Sequence, residues 1–314
     1  MSSRARNKPR PLWHPALWPS WLAVALGWLL TQLPTRVQVK FGSALGTVFW
    51  RLAKGRRHVA LTNLKLCYPE QSDQQRRRLA ESVFAGMGVS MMETLWTWLG
   101  NQHNNPAHVA RTRIEGLEIL QQAHAQGRGV LLIGAHLMAL DAIAARLSEA
   151  AQIDVIYRYN KNPVIEWLMV RGRGRYFPNV IEREDARAIL QSLKDGNILW
   201  YAADQDYGAK HSVFATFFGV PAATITGSAR LAGFRGSPVV IMSQHRDLAA
   251  HEWTIRFEAG PKNYPTDKSE PDAQTIDAQA INDAIEKTIR RTPEQYLWLH
   301  RRFKTRPAGE PKLY

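Results

Sequence analysis

His136 and Asp141 stand five residues apart in His136-Leu-Met-Ala-Leu-Asp141, just after the apolar run Val130-Leu-Leu-Ile-Gly134. A neutral imidazole, with an ordinary pKa of about 6.5, can take a proton from a hydroxyl as that hydroxyl attacks a carbonyl carbon. The spacing predicts that Asp141 holds the second ring nitrogen, fixes the tautomer and stabilises the imidazolium. No serine or cysteine nucleophile motif stands nearby, so the chemistry expected is direct transfer of an acyl group to an alcohol. The competing reading is a surface histidine with an unrelated aspartate. Position favours function, because ligand sites in α/β sheets lie at the carboxyl ends of strands.

The surrounding elements suit that position. Val130–Ile133, Ile153–Tyr157, Asn179–Ile181, Ile198–Ala202 and Val239–Met242 read as short buried strands. Leu140–Ala150, Pro163–Gly172, Arg183–Lys194 and Thr226–Phe234 read as helices between or after them. This alternation predicts an α/β fold with a central, largely parallel sheet flanked by helices. Trp253–Glu258 alternates like an edge strand, and Asp272–Arg291 is an amphipathic helix with Ile276, Ala280, Ala284 and Ile285 on one side. Glu70–Gly86 reads as a polar helix start with Arg76-Arg-Arg78 on a solvated face. Ser90–Leu99 reads as core, or as one wall of a lipid pocket, and Asn101–Pro106 as a loop.

The chain has 314 residues, is 45% hydrophobic and holds one cysteine, Cys67, which excludes disorder and an internal disulfide framework. Cys67 lacks an evident activator and reads as a packed residue. The net charge of +14 fits nucleic acid, an anionic membrane surface or an acidic partner. The amino-terminal residues point to the membrane. Arg4, Arg6, Lys8 and Arg10 precede an uncharged, Trp- and Leu-rich stretch, Trp13–Leu33, of a length that suits a bilayer span. A signal peptide and a core helix are the alternatives to an anchor. Arg36, Lys40, Arg51, Lys54, Arg56, Arg57 and Lys65 follow, so the positive side predicts a cytoplasmic domain. The expected division is a basic segment and membrane anchor over 1–34 and an acyltransferase domain over 35–314. Val37–Leu52 reads either as an interfacial helix or as an ordinary amphipathic core helix.

Further motifs stand in order along the chain: Asn63-Leu-Lys-Leu-Cys-Tyr-Pro69, Tyr201-Ala-Ala-Asp-Gln-Asp-Tyr-Gly208, Val213-Phe-Ala-Thr-Phe-Phe-Gly219, Thr224-Ile-Thr-Gly-Ser228 and Gln295-Tyr-Leu-Trp-Leu-His-Arg-Arg-Phe-Lys-Thr-Arg-Pro307. With the histidine motif, they resemble the late acyltransferases of lipid A biosynthesis, the Kdo-lipid IV-A acyltransferase family, and within it the lauroyltransferase-like branch. The resemblance implies a glycerolphosphate-acyltransferase-like fold. It also implies an inner-membrane enzyme of Gram-negative bacteria, single-pass or monotopic, that faces the cytoplasm. Its implied reaction moves an acyl chain from acyl carrier protein to a hydroxyacyl hydroxyl of a Kdo-bearing lipid A precursor, without a metal, cofactor or nucleic-acid partner. Many lauroyl-branch members carry Glu and Phe where this chain has Asp141 and Leu137, which leaves the chain length open.

By the same resemblance His136, Asp141, Arg173 and Asp204 are candidate catalytic residues, and Arg158, Arg171, Arg175, Asp206 and Gly208 candidate substrate-binding residues. Arg173 is expected to stabilise an oxyanion or bind a phosphate. Asp204 is expected to orient an active-site group or the arginines. Gly208 is expected to allow a tight turn. Trp298, Arg301, Arg302, Lys304 and Arg306 suggest an aromatic-basic tail for a membrane surface, or a solvated face. Another glycolipid or glycerophospholipid acyltransferase, and a non-catalytic protein binding anionic lipid, are the alternative functions.

Overall fold

The computed structural model describes residues 10–99 and 106–314, without the side chains at 106 and 107. The loop expected over Asn101–Pro106 therefore lies almost wholly outside the described residues, as do Arg4, Arg6 and Lys8. Four helices come first: α1 (Trp18–Thr31), α2 (Thr35–Leu52), α3 (Lys54–Cys67) and α4 (Asp73–Trp98). Then follow α5 (Pro106–Ala110), β1 (Thr112–Glu115), α6 (Leu117–His124), β2 (Val130–Gly134), α7 (Ala144–Ala150), β3 (Ile153–Tyr157) and α8 (Pro163–Arg173). The rest comprises β4 (Val180–Glu182), α9 (Ala186–Lys194), β5 (Ile198–Ala202), β6 (Ser212–Phe217), β7 (Val220–Ile225), α10 (Gly227–Arg235), β8 (Val239–Asp247), β9 (Glu252–Ala259) and α11 (Ala273–Arg291).

The central sheet has seven strands in the order β1-β9-β8-β2-β5-β3-β4. Every neighbouring pair is parallel except β8 with β9. The largely parallel α/β architecture is thus as expected. β2 is apolar throughout and fully buried because helices cover both of its faces. One apolar cluster joins Leu131, Ile133, Leu199 and Ile241 to α3, α4, α9 and α11. The other joins Leu132, Ile198, Trp200 and Met242 to α6 and α7. β9 alternates as expected, but it is not an edge strand: β1 covers it in parallel register. β6 and β7 form a separate hairpin against α11.

The amino-terminal helices differ from a bilayer span. α1 has 14 residues, about 21 Å at 1.5 Å per residue, against a hydrocarbon core of about 30 Å. No helix among the described residues is long and apolar enough to cross a membrane. The expected single-pass span over Trp13–Leu33 is therefore not supported by any helix among the described residues. Pro34 ends the run, since the residue before a proline disfavours helical geometry, and the chain turns into α2. α1 is joined to the body: the Trp21 ring packs tilted against Trp167 with centroids 5.5 Å apart, and Ser20 Oγ accepts from Asn162 Nδ2 at 2.7 Å. α2 lies directly on α4. A Cβ on Gly46 would come within 2.1 Å of the Phe84 carbonyl, and one on Gly88 within 1.9 Å of the Gly42 carbonyl. These glycines permit backbone-to-backbone contact. Trp18, Leu22, Leu26 and Leu29 of α1 and Val37, Phe41, Val48 and Leu52 of α2 remain exposed.

α4 begins at a capping box. Ser72 Oγ accepts from Gln75 N, and Gln75 Oε1 accepts from Ser72 N. Arg76 is not on a solvated face: it is buried, and its guanidinium donates to the Tyr68 and Pro69 carbonyls and pairs with Asp73. Farther along, buried Glu93 pairs with Arg246 of β8 and accepts from Trp253 Nε1 at 3.0 Å. This pins α4 to β8 and β9 of the central sheet.

Candidate active site

The site forms where β2 and β5 end. The two strands pair in parallel with Gly134 opposite Ala202. His136 and Asp204 each follow two residues beyond that pair, so the register itself sets them side by side. His136 Nδ1 lies 2.7 Å from Asp204 Oδ1, and His136 N donates to Asp204 Oδ2 at 3.0 Å. Asp204 is 2% exposed, while the imidazole keeps 31% of its surface open. Both carboxylate oxygens are thus committed to one residue.

This geometry corrects the sequence expectation for Asp141. The carboxylate that orients His136 is Asp204, not Asp141. Asp141 instead accepts from Arg173 Nε and Nη2, each at 3.3 Å, from Thr94 Oγ1 at 3.1 Å and from Trp98 Nε1 at 3.3 Å. The turn after His136 carries Asp141 away to α4 and α8, and Thr97 Oγ1 holds its carbonyl at 2.9 Å. Arg173 lies 5.6 Å above the Trp98 ring. The motif therefore serves two adjacent pairs, one through His136 and one through Asp141.

Electrostatics favour a charged His136–Asp204 pair. Burial alone pulls the His136 pKa down, but the Asp204 charge and hydrogen bond outweigh it, and the net shift is upward despite opposition from Arg173. Burial pushes Asp204 up, yet the His136 charge and hydrogen bonds hold it down at about 2. Once pH exceeds the raised pKa of His136, ionised Asp204 keeps the remaining proton on Nδ1 and Nε2 offers the lone pair of a base.

The loop is held from several sides. Met138 N donates to the Gln295 carbonyl at 2.8 Å, and Leu297 N to the His136 carbonyl at 3.2 Å. Ser90 Oγ donates to the Met138 carbonyl at 2.9 Å, and Gln244 Nε2 to the Leu137 carbonyl at 3.2 Å. The Gln295–Leu297 segment is thus a brace for the turn that carries His136. Asn63 of α3 secures the following residues by donating to the Trp298 and His300 carbonyls at 2.7 and 2.8 Å. Two other motifs in the sequence thereby find structural roles.

Gln205 was not singled out from sequence. Its amide nitrogen lies against the His136 ring, 3.3 and 3.4 Å from the two ring nitrogens. Gln205 stands between the two aspartates of its motif, which is the one signal that pointed to it.

The remaining candidates separate. Arg171 and Arg175 are exposed beside a groove of about 350 Å3 formed by Trp21, Trp28, Trp98 and Trp167, between α1, α4 and α8. Arg171 lies 5.6 Å from the Trp167 ring, and Arg175 Nη1 donates to the Trp98 carbonyl at 2.7 Å. Arg158 is exposed at the end of β3. Asp206 does not face the groove. Its carboxylate accepts from Thr305 N at 2.7 Å, Thr305 Oγ1 at 2.9 Å and Gly208 N at 2.8 Å. It ties down the carboxyl-terminal segment, a structural role that the sequence reading of Asp206 as substrate-binding did not include. Gly208 has φ of 87°, the left-handed conformation expected for its turn.

The carboxyl-terminal segment is also not an aromatic-basic surface tail. Trp298 is 1% exposed and Arg302 2% exposed. Arg302 donates to the Ala223 carbonyl at 2.7 Å and Thr224 Oγ1 at 2.9 Å. Only Arg301 and Lys304 of that set are well exposed. Cys67 is buried, and burial pushes its thiol up, so it stays protonated. Among the described residues no group of three or more His, Cys, Asp or Glu is placed to hold a metal.

A histidine held by a buried carboxylate at the carboxyl end of a parallel sheet has the geometry that a general base requires. The chain belongs to the bacterial lipid A biosynthesis acyltransferases, whose family profile matches residues 6–305. It is similar to the lipid A biosynthesis lauroyltransferase of Escherichia coli (strain K12), 37% identical over 305 residues, which are 96% of this chain and 97% of that protein. The palmitoleoyltransferase of the same organism is 35% identical over 310 residues, 97% of each chain. Its myristoyltransferase is 30% identical over 305 residues, 96% of this chain and 91% of the relative.

Proposed function

We propose that this acyltransferase moves a fatty acyl chain, lauroyl in our reading, from acyl carrier protein to a hydroxyacyl hydroxyl of a Kdo-bearing lipid A precursor. The observation that carries the reading is the His136–Asp204 pair, 2.7 Å apart, with the imidazole open on one side. His136 Nε2 takes the proton of the acceptor hydroxyl as its oxygen attacks the thioester carbonyl. A C–O bond forms and the carbonyl oxygen becomes an oxyanion. Collapse breaks the C–S bond, and the thiolate leaves with the proton from His136. Asp204 holds Nδ1–H throughout and stabilises the imidazolium. Arg173, braced by Asp141, supplies positive charge for the oxyanion or a substrate phosphate. No acyl-enzyme is needed.

The Trp-lined groove suits an acyl chain, and Arg171 and Arg175 at its margin suit anionic groups. The exposed apolar faces of α1 and α2, flanked by Arg36, Lys40 and Arg51, suit a monotopic seat on the cytoplasmic face of the inner membrane. The net charge of +14 suits an acidic carrier protein and a phosphorylated acceptor. The lauroyl assignment rests on motif resemblance alone, since relatives named for different chain lengths are 37% and 35% identical. Mass spectra of lipid A from cells with and without the gene test the reading. Loss of one acyl group of twelve carbons is expected. An unchanged lipid A would overturn it, and loss of a longer chain would replace the lauroyl assignment.

A further inference from the structure

A second cavity, of about 550 Å3, opens between α9 and α10, away from the Trp-lined groove. Its volume lies in the range of ligand sites, roughly 300–1,000 Å3. Ile189, Leu190, Ile225, Leu231 and Phe234 make its walls apolar, and Phe234 is 48% exposed at its margin. Three donors face this space. Among the described residues the exposed Arg230 and Lys268 form no ion pair, and the Tyr201 hydroxyl has no hydrogen-bond partner. Arg230 is close enough to Tyr201 to favour its ionised form, although burial pushes that hydroxyl upward overall. Gly227 keeps the hydroxyl accessible: a Cβ there would stand 2.8 Å from it.

We propose that this cavity is a lipid site separate from the transfer site, and that it takes an acyl chain headed by a phosphate monoester. The walls suit the chain, because apolar surface that leaves water favours binding. Two cations and a phenol suit a head bearing about −1.5 to −2 charges and three acceptor oxygens. A carboxylate would bring a single negative charge against the two cations. Tyr201 lies on β5, the strand that delivers Asp204, so an occupant sits against the element that orients His136. The site does not depend on the transfer reaction proposed above.

The test is photolabelling of the full-length protein by a diazirine-bearing monoacylglycerol phosphate, followed by peptide mapping. Label is expected in the peptides spanning 186–190 and 225–234. Arg230→Gln and Lys268→Gln should each weaken that labelling about tenfold, the loss of one charge-assisted contact. Both residues are exposed, so the fold should survive. Ala229→Trp, which fills the apolar floor, should abolish it. The same chain on phosphocholine or on a free carboxylate should label these peptides at least tenfold less. Label absent from these peptides, or unchanged in the charge variants, would overturn the site. Equal labelling by the carboxylate probe would overturn the phosphate head.

Discussion

Asp204→Asn separates the two carboxylates that the sequence places in competition. Asp204 spends Oδ1 on the His136 ring and Oδ2 on the His136 amide, at 2.7 and 3.0 Å. An asparagine offers one acceptor and one donor in the same space. If its oxygen keeps the backbone amide, its NH2 faces Nδ1 and favours the tautomer with the proton on Nε2, which is useless as a base. If its oxygen keeps the ring, the amide loses its acceptor and the imidazolium loses its counter-charge. Loss of general base catalysis costs roughly 10²–10⁴-fold, or about 3–5 kcal/mol in the barrier. The assay is kcat/KM for acyl transfer by the purified variant, with circular dichroism to confirm folding. Asp141→Asn should cost less, about tenfold, because Thr94 and Trp98 still brace the side chain while Arg173 loses its partner. Near-normal turnover in Asp204→Asn beside a severe loss in Asp141→Asn would refute the assignment of Asp204 as the orienting group.

The acid limb of kcat/KM should lie above pH 6.5, because His136 must be neutral to act and its pKa is raised; a limb below pH 6 would contradict the ion pair. The pair's contribution to stability should be full at mild acid and fall as pH rises through that raised value, which urea titrations across pH 5–9 measure. Cys67→Ala should keep near-wild-type turnover and lose about 1 kcal/mol of stability, since Cys67 is a buried thiol kept protonated by burial; stoichiometric acylation of Cys67 in the wild type would oppose direct transfer. Gly88→Ala should destabilise by about 1–3 kcal/mol, because the methyl meets backbone of α2 that cannot rotate away. Gly55→Ala, with nothing within 4 Å, is the control, and thermal unfolding compares them.

Much of the sheet was legible because β2 and β5 are continuous apolar runs and β3 is interrupted only by Asp154, and their ranges match the expected ones closely. The partner of His136 was not legible, because a register such as Gly134 opposite Ala202 joins residues far apart in sequence. The β6–β7 hairpin was hidden by its turn. Phe218 and Gly219 both have positive φ, 53° and 75°, where such a turn normally shows Asn-Gly. Phe218 holds that conformation with its ring packed on Tyr68 and Trp298. The buried face of α11 was misplaced because it includes polar residues. Asp277 and Asn282 are buried, and bonded to Thr266 and Thr224, while Ile276 is 48% exposed. Counting apolar residues misses polar groups that find their partners inside. The same reason hid Arg76 and Arg302, whose guanidinium groups satisfy buried carbonyls.

The most direct test of the account is the mass of a Kdo-bearing lipid A precursor after incubation with the purified protein and lauroyl-acyl carrier protein. Wild type is expected to add the mass of one lauroyl group, and His136→Ala to lower the rate at least a hundredfold, within the roughly 10²–10⁴-fold range of lost base catalysis. Equal conversion by a folded His136→Ala would contradict the claim that the His136–Asp204 pair performs the transfer.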